Sequence, residues 1–469
     1  MALPAVPPGS SRGLPAGPPV FTEEEVRCLE DDAIFMPPRL SQRPLSSGKR
    51  KVSAAFTPPR TVSSSSSRSS ASVSTQGFQP DVIKTFDMPV TEESVEVLEY
   101  IGFVTHAASL IYERYLGRPN PDQNPDDLMA YVSGHLALLN SSRYIYMSPR
   151  EALRDVGLTV QIQEAITDPR FSHIFGTQTL LYWANDTIKT NYAGLLNQQR
   201  VLRSHANERM ARKGKKIPRH ETNLPQEQLP GPSQQPPTTA TINMTPRDFQ
   251  FPEAHVAMQA DADILENHVS LYKGKAHEEL TTADAIIDDN GVVNLGALGT
   301  LPGADLNSTS MAIYWTPERE TAEEYRRYAA RRCPNNDTCV VHIQLPRSFI
   351  ESLHMEELWY SRNWKEYIWT CRKGRWPDPK FDALWRSGRA DIVKGHICSS
   401  MSKQIARIRQ EDVQTHISED NVLRLPSGRK ATQWVFVQES SMRRLAEEVQ
   451  GKMHFTIVRA TGSSSLAPT

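Results

Sequence analysis

Between residues 359 and 386 the chain sets Trp359, Trp364, Tyr367, Trp369, Trp376 and Trp385 among Arg362, Lys365, Arg372, Lys373, Arg375 and Arg386. Aromatic faces interleaved with cations can stack nucleobases while holding a phosphate backbone. The same composition also makes a core segment edged by solvated arginines, and that second reading is preferred. Cys333-Pro-Asn-Asn-Asp-Thr-Cys339 places five residues between two thiols, wider than the roughly two to four of a zinc knuckle. A turn carrying two ordinary thiols, and no metal, is expected. His342, His354, His396 and His454 fall singly on different segments, with no Cys or Ser beside a matched base. No nucleophilic triad is therefore read from them.

Length and composition narrow the classes. A chain of 469 residues has room for about three domains, but a hydrophobic share of 38% and a mean hydropathy of −0.50 are low for a chain wholly packed into cores. Lys plus Arg (53) balance Asp plus Glu (54), which excludes a global charge argument for nucleic acid or membrane. The start, Met1-Ala-Leu-Pro, lacks the basic and apolar pattern of a secretory signal, and no long apolar run follows. The expectation is a cytoplasmic or nuclear protein, not secreted and not membrane-bound. The odd set of five cysteines (Cys28, Cys333, Cys339, Cys371, Cys398) suits reduced thiols.

Four regions are expected to position the chemistry. Residues 1–80, rich in Pro and Ser up to the tract Ser63 to Ser67, read as a disordered tail. Its Lys49-Arg50-Lys51 run is a weak match to a nuclear-import signal. Residues 81–215 read as an all-α helical domain that folds on its own. Thr91 caps a helix carrying Val95, Leu98, Ile101, Val104, Ala108 and Ile111 up to Gly117; Asn124-Pro125 opens the next; Ser148-Pro149-Arg150-Glu151 is a capping box closed by Gly157. From Thr177 a long helix runs from apolar residues into Arg200, Arg203, Arg209 and Arg212, a basic end that complements its own dipole. Residues 216–247 are a Pro/Gln-rich linker. Residues 248–469 alternate strands (His268 to Tyr272, Met311 to Trp315, Val340 to Leu345, Ala390 to Lys394, Trp434 to Val437, Phe455 to Val458) with helices at Pro317 to Arg331 and Ser440 to Val449. The fold class is α+β.

Five segments stand in fixed order in that last region: Leu271-Tyr-Lys-Gly274, Ala312-Ile-Tyr-Trp-Thr316, Trp364 to Arg372, Asp391-Ile-Val-Lys-Gly395 and Gln433-Trp-Val-Phe-Val437. Together they resemble the split-sheet core of the ADP-ribosyltransferase superfamily. The nearest likeness is to an uncharacterised, mainly bacterial family of that group, also found in fungi, over residues 268–460. The resemblance implies that Tyr314 stacks on the nicotinamide of NAD, that Tyr325 closes on the other face, and that Gly274 gives its backbone to the nicotinamide amide. It aligns Lys273 with a histidine that holds the adenosine ribose, and Gln433 with a catalytic glutamate. Cleavage of the bond between nicotinamide and ribose passes through an oxocarbenium-like state, which a fixed carboxylate stabilises. Lys273 remains a donor, though a mobile one; Gln433 carries no charge and cannot act as a base. Glu366 and Glu439 are the nearby carboxylates in sequence.

The resemblance thus implies an NAD-binding protein, either a weak mono-ADP-ribosyltransferase acting on an unknown acceptor or an inactive descendant. The alternative is a non-enzymatic intracellular scaffold that docks a protein partner; nucleic acid is not favoured. In the residues themselves, Tyr314 and Tyr325 also read as half-buried core aromatics, and Lys273 as a strand-edge charge. Tyr272 to Gly274, Tyr314 and Gln433 are expected to meet around one cleft.

Overall fold

Helices dominate residues 95–214, strands alternate with helices beyond residue 255, and one apolar cluster spans both parts. The computed structural model describes residues 14–15, 17–36, 48–53, 70–76, 85–119, 126–144, 146–214, 255–259, 262–280, 286–288, 290–386, 389–400 and 402–460. Before the helical region lie α1 (Glu23–Asp31), β1 (Lys49–Ser53), β2 (Ala71–Gln76) and β3 (Thr85–Pro89). That region holds α2 (Val95–Ile101), α3 (Thr105–Leu116), α4 (Leu128–Leu136), α5 (Pro149–Asp155), α6 (Val160–Ile166), α7 (Ser172–Phe175) and α8 (Leu180–Gly214). There follow β4 (Val256–Met258), β5 (His268–Ala276), β6 (Gly299–Thr300), β7 (Ala312–Trp315), α9 (Arg319–Arg332), β8 (Thr338–Pro346), α10 (Arg347–Glu351) and β9 (Met355–Leu358). The chain ends with α11 (Arg362–Arg372), α12 (Asp382–Trp385), β10 (Ile392–His396), α13 (Ser402–Arg407), α14 (Val413–His416), β11 (Thr432–Phe436), α15 (Glu439–Glu448) and β12 (Met453–Val458).

Local chemistry explains most boundaries. Ser148 and Glu151 form the capping box that opens α5, which satisfies amide groups no helical carbonyl can reach. The helix expected from Thr91 to Gly117 is instead two. Ser94 caps α2, and the chain turns at Gly102 with φ +127° before α3 begins. A Cβ there would sit 2.6 Å from Ile162 Cγ1, so both backbone angle and space call for glycine. The serine-rich tail also departs from expectation. Its Ala71–Gln76 stretch is strand β2, parallel to both β12 and β4. Ser72 and Ser74 hold the two ring nitrogens of His454 at 2.8 and 2.9 Å, so these two hydroxyls have partners where they leave water. Lys49 of the basic run lies on β1 and pairs with Glu99 at 2.7 Å. The Pro/Gln linker and the tract Ser63 to Ser67 fall outside the described residues.

Two five-stranded sheets, ordered β6-β7-β11-β10-β9 and β4-β2-β12-β8-β5, carry the second half. In β8 every residue from Thr338 to Leu345 is buried. Cys339, Val341, Ile343 and Leu345 join one core, while His342 and Gln344 on the other face are answered by Ser270 and by the backbone at Asp263 and Leu265. The sheets are tied where Tyr272 N donates to Thr316 O at 2.7 Å and Thr316 N donates back to Tyr272 O at 3.0 Å.

A self-contained helical bundle is not what the packing shows. The core of α2 to α8 runs on through Tyr328, Ile397, Leu423, Leu425 and Ala431. Tyr328, fully buried, donates its hydroxyl to Ile166 O at 2.7 Å and meets Trp183 edge-on at 5.0 Å. The basic end of α8 is likewise docked: Arg203 faces Glu25, and His205 and Arg209 face Asp32. Truncating Tyr328 to alanine should cost about 3–5 kcal/mol, as for other large buried aromatics. Denaturant unfolding followed at helical and at sheet reporters should shift together; a loss confined to one half would contradict the shared core.

Candidate functional site

A cleft of about 130 Å³ lies where β5, β7, β11 and α9 approach the start of α8, and Lys273, Gly274, Tyr314, Tyr325 and Gln433 all border it. The sequence-predicted residues are therefore brought together. Their individual surroundings decide what each can offer.

Gly274 sits on β5 beneath α9. A Cβ would lie 1.8 Å from Ala322 O and 2.7 Å from Arg326 N, so glycine lets the helix rest directly on the strand. β5 is an edge strand. Tyr272 directs its backbone groups off that edge to Thr316, and strand alternation turns those of Gly274 the same way, towards the cleft. A neighbouring donor and acceptor on one edge complement a carboxamide.

Lys273 is used differently from a ribose ligand. Its Nζ donates to Leu298 O at 3.1 Å and Tyr314 O at 3.0 Å, bracing β5 against β7. Burial, with the charge of Lys275 adding to it, brings its pKa down to about 7. The Tyr314 hydroxyl donates to Asn307 Oδ1 and accepts from Leu306 N, both at 2.9 Å. Burial, followed by the charge of Asp305, raises its pKa well above the ordinary phenol value. Burial also raises that of Tyr325, against a hydrogen bond with Thr177. Both rings are only partly buried and remain on the cleft wall.

Gln433 is buried, and its Nε2 donates to Asp305 Oδ2 and to His396 O, both at 3.1 Å. Asp305 is a carboxylate in the cleft that sequence reasoning missed, because nothing in the loop Gly303-Ala304-Asp305-Leu306 marks it. Its Oδ1 takes Arg372 Nε at 2.8 Å and Nη2 at 2.5 Å, and its Oδ2 takes Cys398 N at 2.8 Å besides Gln433. All its acceptor capacity is engaged and its charge faces a buried guanidinium. Glu366 is bound to Lys380, Arg362 and Gln414 away from the cleft, and Glu439 pairs with Arg443 on the surface.

The far end of the cleft holds a second set of charges also absent from the sequence reading: Asp186 with Arg332 (2.6 Å) and Lys275 with Glu279. Asp186 had a usable signal, being a carboxylate next to an apolar helical stripe of Trp183, Ile188 and Leu195, where burial demands a partner. The aromatic–basic group resolves towards core: Trp364, Tyr367 and Trp369 are buried, and Arg372 is spent on Asp305, while Trp376 is exposed. Among the described residues no group of three or more His, Cys, Asp or Glu is placed to hold a metal ion. Comparison with known family models, with curated proteins and with solved structures finds no match for this chain.

Two expectations follow from the geometry. The depressed pKa of Lys273 means that the folded state binds fewer protons than the unfolded state between about pH 7 and the ordinary lysine value. Its share of stability therefore rises with pH across that window. The stability difference between wild type and Lys273→Met should move in favour of wild type from pH 7 to 8.5; a flat difference would show the amine to be solvated. Gln433→Glu puts a second buried carboxylate against Asp305. Like charges in such a site drive one pKa up, so this variant should lose about 2–4 kcal/mol at neutral pH and regain most of it on acidification. Unchanged melting at pH 7 would contradict this.

Proposed function

We propose that the cleft binds the nicotinamide end of NAD, and that the second half of the chain is an ADP-ribosyltransferase-like α+β region in which transfer is weak or lost. The observation that carries this reading is the convergence of Lys273, Gly274, Tyr314, Tyr325 and Gln433, far apart in sequence, on one cleft. Gly274 offers edge backbone groups to a carboxamide, and Tyr314 and Tyr325 offer ring faces to a pyridine.

Binding and bond cleavage make different demands. Stacking and amide recognition need no carboxylate. Cleavage of the glycosidic bond needs negative charge beside the ribose, and losing one such preorganised contact costs on the order of a hundred- to a thousandfold in rate. Gln433 is neutral, and the charge of Asp305 is already offset by Arg372. Recognition with little turnover is the reading this supports. A second reading, a non-enzymatic scaffold for a protein partner, draws on the same engagement of Asp305 by Arg372 and Gln433.

Calorimetry with nicotinamide and NAD, and a labelled-NAD transfer assay, test the proposal. Wild type should bind nicotinamide measurably, with transfer near background. Tyr314→Ala should weaken binding on the order of tenfold, equivalent to about 1.4 kcal/mol. Tyr314→Phe keeps the ring and should lose stability of about 1–3 kcal/mol but retain most affinity. Absence of binding by either ligand would sink the nicotinamide reading. Rapid transfer by wild type would show that a carboxylate other than those described supplies the charge.

A further inference from the structure

The core absorbs only part of the aromatic–basic stretch around α11. Trp376 is 71% exposed and borders no part of the cleft. Its place is set by the backbone. At the end of α11 Gly374 takes φ +63°, Gly374 N donates to Cys371 O at 2.9 Å, and Arg375 N donates to Thr370 O at 3.1 Å. That pair of bonds closes the helix and turns the chain away. Pro377, buried, anchors the other side, so Arg375 and Trp376 are held out in solvent between two fixed points. The Trp376 ring leans on Trp385, with centroids 5.2 Å apart and planes at 58°.

A single exposed ring would call for no explanation, but this one stands among cations. Lys373 Nζ and the Arg375 guanidinium lie 4.8 and 5.4 Å from the centre of the Trp369 ring. Trp369 Nε1 donates to Ile408 O at 2.8 Å, which brings the chain bearing the exposed Arg407 and Arg409 against the same end of α11. Among the described residues none of these four cations has a carboxylate partner at ion-pair distance. Nearby acids are engaged: Glu366 with Lys380, Asp382 with Arg386, and Asp378 with the Lys380 amide. Glu411, also exposed, is the acid that follows Arg409 most closely in sequence. An acidic peptide would answer the cations but brings no flat face to the ring. A single strand brings both phosphate and base face, whereas a duplex keeps its base faces inside the stack.

We propose that Trp376 and Trp385, with Lys373, Arg375, Arg407 and Arg409, form a surface that binds single-stranded nucleic acid, one base stacking on Trp376 while the cations neutralise phosphates. Recognition through base faces and phosphates is tolerant of sequence, so DNA and RNA strands serve alike. The surface does not depend on the nicotinamide reading of the cleft.

The test is fluorescence anisotropy of labelled oligo-dT and oligo-U with the full chain. Wild type should bind the two about equally, and duplex DNA of the same length at least about tenfold more weakly. Trp376→Ala should weaken single-strand binding by about tenfold and leave the slope of log affinity against log salt unchanged. Replacing Arg407 and Arg409 together by alanine should make that slope shallower by about 1.4, for two phosphates at about 0.7 each. All three positions are exposed, and circular dichroism matching wild type establishes that both variants fold. No binding of either strand at low salt, a duplex bound as tightly as a single strand, or an affinity unmoved by Trp376→Ala would each overturn the proposal. Poly-glutamate bound more tightly than either oligonucleotide, and lost with the two arginines, would overturn it in favour of an acidic protein partner.

Discussion

A guanidinium removed from water has to find an acceptor for nearly every donor, and Arg372 organises its surroundings by that demand. Its side chain is wholly buried and its partner Asp305 nearly so. Besides Asp305 it donates to the carbonyls of Cys398 (2.7 Å) and Ser400, with longer contacts to Thr177 (3.4 Å) and Gly176 (3.5 Å). Five separate pieces of chain meet there: the loop before β7, the end of α11, the segment after β10, Gln433 on β11 through Asp305, and the approach to α8. Breaking such a pair from one side leaves a bare buried charge, at a cost of about 3–5 kcal/mol. The cleft keeps its shape because its floor cannot relax without that penalty.

The same constraint sets the chemical character of the cleft. Asp305 is the acidic group on its floor, yet both oxygens are committed to donors. Gln433 matches this arrangement as a donor to Asp305, which a glutamate could do only while protonated. Lys273, the amine on the wall, is committed to two backbone carbonyls. The charged groups around the cleft thus find partners within the protein and leave a strand edge and aromatic faces for a ligand. Under the proposed function this favours holding a planar amide over stabilising a developing positive charge.

Much of the architecture was legible because it rests on local pattern. Val340 to Leu345 is apolar enough to read as a buried strand and becomes β8; Ser148 and Gly157 bracket α5 as their chemistry requires. What was not legible depends on partners distant in sequence. β2 lies in a serine-rich stretch whose Ser72 and Ser74 are satisfied by His454, near the other end of the chain. The break between α2 and α3 comes from Gly102 packing on Ile162, which no helical period reveals. Gly274 was singled out for its backbone, and it is indeed demanded by backbone, though first by α9 lying across it. Asp305 could be found only once folding had brought Arg372 to it, whereas Asp186 stood beside an apolar helical stripe that already called for a partner.

α8 contributes to the common core and also borders the cleft. Leu195 and Leu202 pack with α1 and β1, and Trp183 and Ile188 pack with α2 to α6 and with Tyr328. On the proposed reading the helical region is therefore part of the binding site, because Gln178, Tyr182 and Trp183 border the cleft alongside residues of β5 and β7.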